Sequence, residues 1–245
     1  MHDFPAGRLA AWATAWLTGR TSYDEALDAV TGDTAHRVSG LPGTDGAVPL
    51  GEALSALRGL GERRLRLVLP APGDVRGLPA VPGLAAVALE AGQAAVGDAV
   101  VLVPEPLGPE VLQWTAFGLD GVPPPPPPVE GTLRAASGAL DLAVSGSART
   151  LAELDLARWH PEVPELLAGL ARPTPSRGLP PDSDPLALSI LGRALRVAAV
   201  LDLAMADAPG GAVNQAQAAR RDAVLRPLSA AVREAVTAAY NALPR

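Results

Sequence analysis

The side chains able to do chemistry are few and scattered. The 3 histidines, His2, His36 and His160, lie far apart, and none has a metal-ligand neighbour at helical or hairpin spacing. His160, in ARWHPE, stands near Glu162 and would suit a general base, but a cation favoured by a helix C-terminus accounts for it more simply. His36 has Asp33 within reach, yet TGDTAHRVSG reads as an ordinary loop entering a strand. Cysteine is absent, which removes thiolate nucleophiles, disulfides, zinc ribbons and iron–sulfur ligation together. Without a reliable His or Cys, Ser–His–Asp and Cys–His machinery has no support.

Carboxylate pairs and glycine-rich loops fare no better. Asp182 and Asp184 in PPDSDP have the spacing of a metal-loop fragment, but the EF-hand pattern does not continue and helix capping suffices. GLPGTDG and GRTSYDE do not match a P-loop, which also needs a Lys that this chain lacks. GLRGLGERR precedes a strand, whereas a dinucleotide fingerprint follows one. No metal and no cofactor is expected.

Two weak ligand-binding candidates remain. The loop PAPGDVRGLPAVPG, residues 70–83, follows the cleanest strand and carries Asp74 and Arg76. Stiff loops at strand ends are common sites, with the Arg able to clamp an anion and the Asp to accept from a donor. An ordered loop whose two charges pair locally is the simpler account. Arg193 and Arg196 lie three apart on an otherwise apolar helix. They would either tie that helix to the acidic first half or line an anion pocket, and the tie is preferred.

The elements that must position these residues are clearer. Leu9, Trp12, Ala13, Trp16 and Leu17 recur at helical spacing between Pro5 and Gly19. The two tryptophans would form either a partner-binding face or core, and core is preferred. Ser22 and Glu25 have capping-box spacing at the head of a second helix, with Tyr23, Leu27 and Val30 on its apolar side. Asp24, Glu25 and Asp28 on that helix would repel phosphate, which argues against a helix-turn-helix.

GLPGTDGAVP (40–49) reads as turns and GEALSALRGL as a helix. In RRLRLVLP, Leu65, Leu67 and Leu69 alternate with Arg64 and Arg66, as in a strand with one solvated face. DAVVLVPEP (98–106) and VLQWTAFGL (111–119) read as an antiparallel hairpin across PLGPE. GLAAVALEAGQAAV fits helix or strand equally well.

Beyond GVPPPPPPVE nearly everything reads as helix. TLRAASGALDLAV and ARTLAELDLARW are expected as two successive helices. Asp184 and Pro185 should open a long helix to about residue 207, which APGG ends. A last helical stretch over 212–243, kinked or split at Pro227, should pair with it antiparallel.

The expected fold is therefore α+β: residues 1–122 with helices and a small, mostly antiparallel sheet, a polyproline strap at 123–129, and a helical part at 130–245 docked on the first. As polyproline II the six prolines would span about 19 Å. Their flanks, Val122, Val129 and Glu130, lack the basic residue that proline-reading grooves usually recognise, so a spacer is preferred to a docking motif.

Composition limits the function. All basic side chains are Arg, and Ile190 is the only isoleucine, a bias of GC-rich codons that suggests a high-GC actinobacterium. The first 122 residues hold 8 Arg against 14 acids and the rest 12 against 12, for a net −6 carried by the first half. Neither half has the basic face of a nucleic-acid binder. Residues 186–206 are apolar, but Arg193, Arg196 and Asp202 make a buried helix a better reading than a membrane span. No signal peptide is apparent, so a cytoplasmic location is expected. The balance leans away from catalysis. It favours a non-catalytic interaction or regulatory protein, with a protein partner or self-association as a homodimer. The alternative is a small-molecule-binding protein or enzyme using the 70–83 loop.

Overall fold

The computed structural model of the chain describes residues 4–122, 133–153, 178–206 and 215–242. The proline run, His2, His160 and the APGG break lie outside the described residues.

Helix α1 (Pro5–Leu17) begins on Pro5, whose missing N–H costs nothing in a first turn. The next free donor, Ala6 N–H, is met by Gln93 Oε1 at 3.0 Å. Every residue from Pro5 to Trp16 except Arg8 is buried, so α1 is a central helix rather than a surface one with a single apolar stripe. The core reading of Trp12 and Trp16 holds. Helix α2 (Tyr23–Thr31) has the expected capping box: Glu25 N–H donates to Ser22 Oγ and Ser22 N–H to Glu25 Oε2. Helix α3 (Leu50–Gly59) buries Leu50, Ala53, Leu54 and Leu57. Its Arg58 lies 3.8 Å from the centre of the Trp16 ring and donates to Trp16 O at 3.2 Å, which ties α3 to the end of α1.

Six strands form one sheet in the order β2-β1-β6-β5-β4-β3. They are β1 (Ala35–Ser39), β2 (Ala47–Pro49), β3 (Arg66–Val68), β4 (Ala94–Val96), β5 (Val100–Pro106) and β6 (Val111–Gly118). The β5–β6 hairpin matches expectation. Only β1 and β6 run parallel. The stretch read as turns over 40–49 contributes β2, a three-residue edge strand too short to leave a pattern. Residues 84–96 resolve the helix-or-strand ambiguity by being both. Helix α4 (Leu84–Ala91) ends at Gly92, whose φ of 66° reverses the chain into β4.

Arg66 corrects the expectation of a solvated face on β3, for it is buried. Leu65, Leu67 and Leu69 join the main core, while Val68, on the face of Arg66, packs with Leu84 and Ala88 of α4. This end of the sheet is covered on both faces, so alternation there does not mean exposure.

The C-terminal helices are α5 (Leu133–Glu153), α6 (Pro185–Ala206) and α7 (Gln215–Asn241). α5 joins the first helix expected from residue 132 onward to the start of the second without a break, and the rest of the second, residues 154–159, lies outside the described residues. Gly146 costs only about 1 kcal/mol in a helix interior, and Ala136, Leu140 and Ser147 keep one face buried through it. Asp184 caps α6, its Oδ1 accepting from Leu186 N–H at 2.8 Å. α7 carries Pro227 inside one helix and packs against both α5 and α6. α6 and α7 run antiparallel, since Gly178, just before α6, lies beside Tyr240 at the end of α7. Leu140, Ile190, Val232 and Val236 share one core with Leu9, Leu67 and Trp114.

Two polar devices hold the sheet. β3 is an edge strand, and the outward peptide groups flanking its start are satisfied by side chains. Leu65 N–H donates to Thr14 Oγ1 at 2.9 Å, and that hydroxyl donates to Leu65 O at 3.2 Å. Leu67 N–H donates to Asn241 Oδ1 at 2.7 Å, and Asn241 Nδ2 donates to Leu67 O at 2.9 Å. At the other end of β4, buried Glu62 accepts from the backbone N–H groups of Asp98, Ala99 and Val100 at 2.9, 2.6 and 3.1 Å. A Cβ on Gly97 would collide with the Glu62 carboxylate.

Asn241→Ala strips both peptide groups of Leu67 in a buried setting and should cost about 2–4 kcal/mol of stability in urea unfolding. A loss below about 0.5 kcal/mol would remove the amide's role. Gly97→Ala should also destabilise, but much less in a Glu62→Ala background; simple additivity of the two changes would show that the carboxylate is not the obstacle.

Candidate functional site

The 70–83 loop owes its shape to its own charges. Ala71 and Asp74 exchange backbone hydrogen bonds at 2.9 and 2.8 Å, closing a tight turn. The Asp74 carboxylate takes Arg76 Nε at 2.8 Å and Nη2 at 3.0 Å, a two-pronged pair. Arg233 of α7 adds a third bond to Asp74 Oδ2 at 3.2 Å. Hydrogen bonding from Arg76, with the charges of Arg76 and Arg233, brings the Asp74 pKa down to about 2. The carboxylate is thus engaged in fixing the loop to α7. The Arg76 side chain is 84% exposed.

Arg193 and Arg196 do not share these partners. Arg193 ion-pairs with Asp141 of α5, so it ties α6 to a helix of its own half rather than to the acidic first half. Arg196 is exposed on α6. The residue that joins Asp74 and Arg76 from a distance is Arg233, 159 positions from Asp74, which no local pattern announces. Asp182 pairs with Arg20 at 2.6 Å. His36 is buried in β1, where its Nδ1 accepts from Trp114 Nε1 at 3.4 Å, while Asp33 lies elsewhere, on a groove. Among the described residues, no group of three or more His, Cys, Asp or Glu side chains is placed to hold a metal ion. No described helix is long and apolar enough to cross a membrane.

The groove that Asp33 lines measures about 520 Å³ and lies between α1, α2 and the stretch leading into α6. Trp12, Leu179, Pro180 and Leu188 give it apolar walls. Trp12 and Leu179 are buried at its floor, and Leu188 is half-buried. Asp28 and Asp33 stand exposed on its rim, and among the described residues no basic side chain lines it. The rim also lies at the C-terminal end of α2, the negative pole of the helix dipole, and the last turn of α2 holds no basic residue. Neither Asp28 nor Asp33 has an ion pair among the described residues. Across the 179–180 segment, Arg20, Arg64 and Tyr240 line a crevice of only about 20 Å³. That is room for about one water molecule and for no larger ligand.

The sequence offered two fragments of the groove, Trp12 as part of a core stripe and Asp28 as an acid facing outward. It becomes a site only because residues 179–188 cross over α1 and α2.

Comparison with known proteins places the whole chain in one group. Residues 6–130 match the Rv1486c-like protein, N-terminal domain, and residues 134–237 match the Rv1486c-like protein, C-terminal domain. The uncharacterized protein Rv1486c of Mycobacterium tuberculosis H37Rv is 32% identical over 98% of this chain and 96% of its own length. The uncharacterized protein ML1804 of Mycobacterium leprae is 29% identical over 98% of this chain and 97% of its own. No solved structure matches. Matched in both domains and along nearly its full length, the chain belongs to the Rv1486c-like protein family.

Proposed function

We propose that this protein is a non-catalytic interaction or regulatory protein, acting in the cytoplasm of a high-GC actinobacterium and binding a protein partner through the groove between α1, α2 and the start of α6. The observation that carries this reading is the groove itself, about 520 Å³, with Trp12 and Leu179 at its floor and two carboxylates on its rim. Apolar walls with a few polar groups at the edge are the usual make-up of a recognition site. Exposed Pro181 beside buried Pro180 stiffens one wall, which lowers the ordering cost of binding. The alternative, a small-molecule site on the 70–83 loop, has less support, because a ligand there would compete with Arg76 and Arg233 for Asp74.

Site-specific photo-cross-linking in the native host tests this. A photoreactive residue at Pro181 should yield a discrete adduct with a second polypeptide, and one at the exposed Glu110 turn should not. Equal adducts from both positions, or none from Pro181, would count against the groove.

A further inference from the structure

Resting on the groove reading, we propose that its occupant is a segment of a partner protein that inserts an arginine or lysine side chain, with apolar neighbours, between the walls and the acidic rim. Three features of the groove converge on a cation with an apolar stem.

The first is charge. Asp28 and Asp33 are exposed on the rim, and among the described residues neither is neutralised by an ion pair and no basic side chain lines the groove. Of the other acids nearby, Glu25 is engaged in the capping box, Asp182 with Arg20 and Asp184 at the head of α6, while Asp24 stands in the first turn of α2, away from its C-terminal pole. The second is the helix pole. α2 ends at the groove, and a negative pole followed by acids raises the local preference for a cation above what two side chains give. An acid in the last turn of a helix is locally unfavourable, so Asp28 does nothing for α2 itself.

The third is shape and surface. Trp12, Leu179, Pro180 and Leu188 provide an apolar lining below the rim. Long basic side chains lay their methylene stems on such surfaces and carry the charge at the tip. An indole in the floor suits a guanidinium or ammonium further. A purely aliphatic occupant would leave the rim charges partly desolvated and unpaired, and an acidic one would be repelled.

Rim charges act through a partly screened field, so the effect of each is modest and depends on salt. Asp28→Asn or Asp33→Asn should each weaken binding about 3-fold, and the double variant about 10-fold at low salt. Both residues are exposed, so the variants should fold normally.

The test is to pan a random heptapeptide display library against the full chain, with Ala29→Trp, which fills the groove from α2, as the blocked control. Circular dichroism and the thermal midpoint establish that the control folds. Enrichment of peptides carrying Arg or Lys beside apolar residues is expected. Their binding should be lost with Ala29→Trp and weakened about 10-fold by Asp28→Asn/Asp33→Asn. Neutral or acidic peptides that still require an open groove would overturn the preference for a cation and leave the groove reading intact. Peptides indifferent to Ala29→Trp, or no enrichment over it, would overturn both. An oligomer of the bare chain in sedimentation that Asp28→Asn/Asp33→Asn disperses would make the occupant a second copy and overturn the foreign segment.

Discussion

The outer edge of β3 has to be satisfied, and the rest of the architecture follows from how this is done. An edge strand presents unpaired N–H and C=O groups that invite another chain. Here the peptide of Leu65 is taken by Thr14 of α1 and that of Leu67 by Asn241 of α7. Arg64 also donates to Asn241 O at 2.8 Å, so the last residue of α7 is held by side chain and backbone together. One end of the chain thereby closes a sheet built near the other, with Leu67 and Asn241 174 positions apart. Contacts of such separation form late, because a long loop must close before they repay its entropy.

With α7 fixed there, its neighbours have little choice. Tyr240 lies where a Cβ on Gly7 would come within 2.6 Å of its ring, so α1 and α7 meet without a spacer. Arg233, on the same helix, reaches Asp74 and fixes the 70–83 loop. α6 packs antiparallel on α7, and its leading segment, Leu179 to Leu188, crosses α1 beside α2. The groove is therefore a consequence of the edge closure. The segments matched to the family's N-terminal and C-terminal domains share one apolar core.

What the sequence made legible was what short-range physics controls. The α1 stripe, the capping box at Ser22, the hairpin over 98–119 and the Asp184–Pro185 start of α6 each rest on residues a few positions apart. Arg66 was misjudged because period-two alternation reports a strand, whereas exposure depends on what covers each face, and α4 covers the second. The boundary expected inside α5 came from reading two successive helix-like stretches, whereas burial of Ala136, Leu140 and Ser147 follows one face across it. Of the candidate site residues, Asp74 and Arg76 could be seen as a local pair. Arg233 and the groove could not, because both depend on chain segments that meet only in the folded protein.

The acidic balance of the first half also divides on physical grounds. Glu62 is consumed by three backbone donors, Glu25 by a helix cap and Asp74 by two guanidiniums. These carboxylates are engaged in structure, Glu62 buried and Asp74 paired, with Glu25 exposed at its cap. Asp28 and Asp33 are different in kind. They stand at the pole of α2 where the helix field disfavours them, with no cation from the described residues to offset it. Natural chains depart from local rules most often where a site requires it. Net charge is thus a poor guide to what this surface recognises. Among the carboxylates left after the structural ones are set aside, Asp28 and Asp33 are the pair that share one groove.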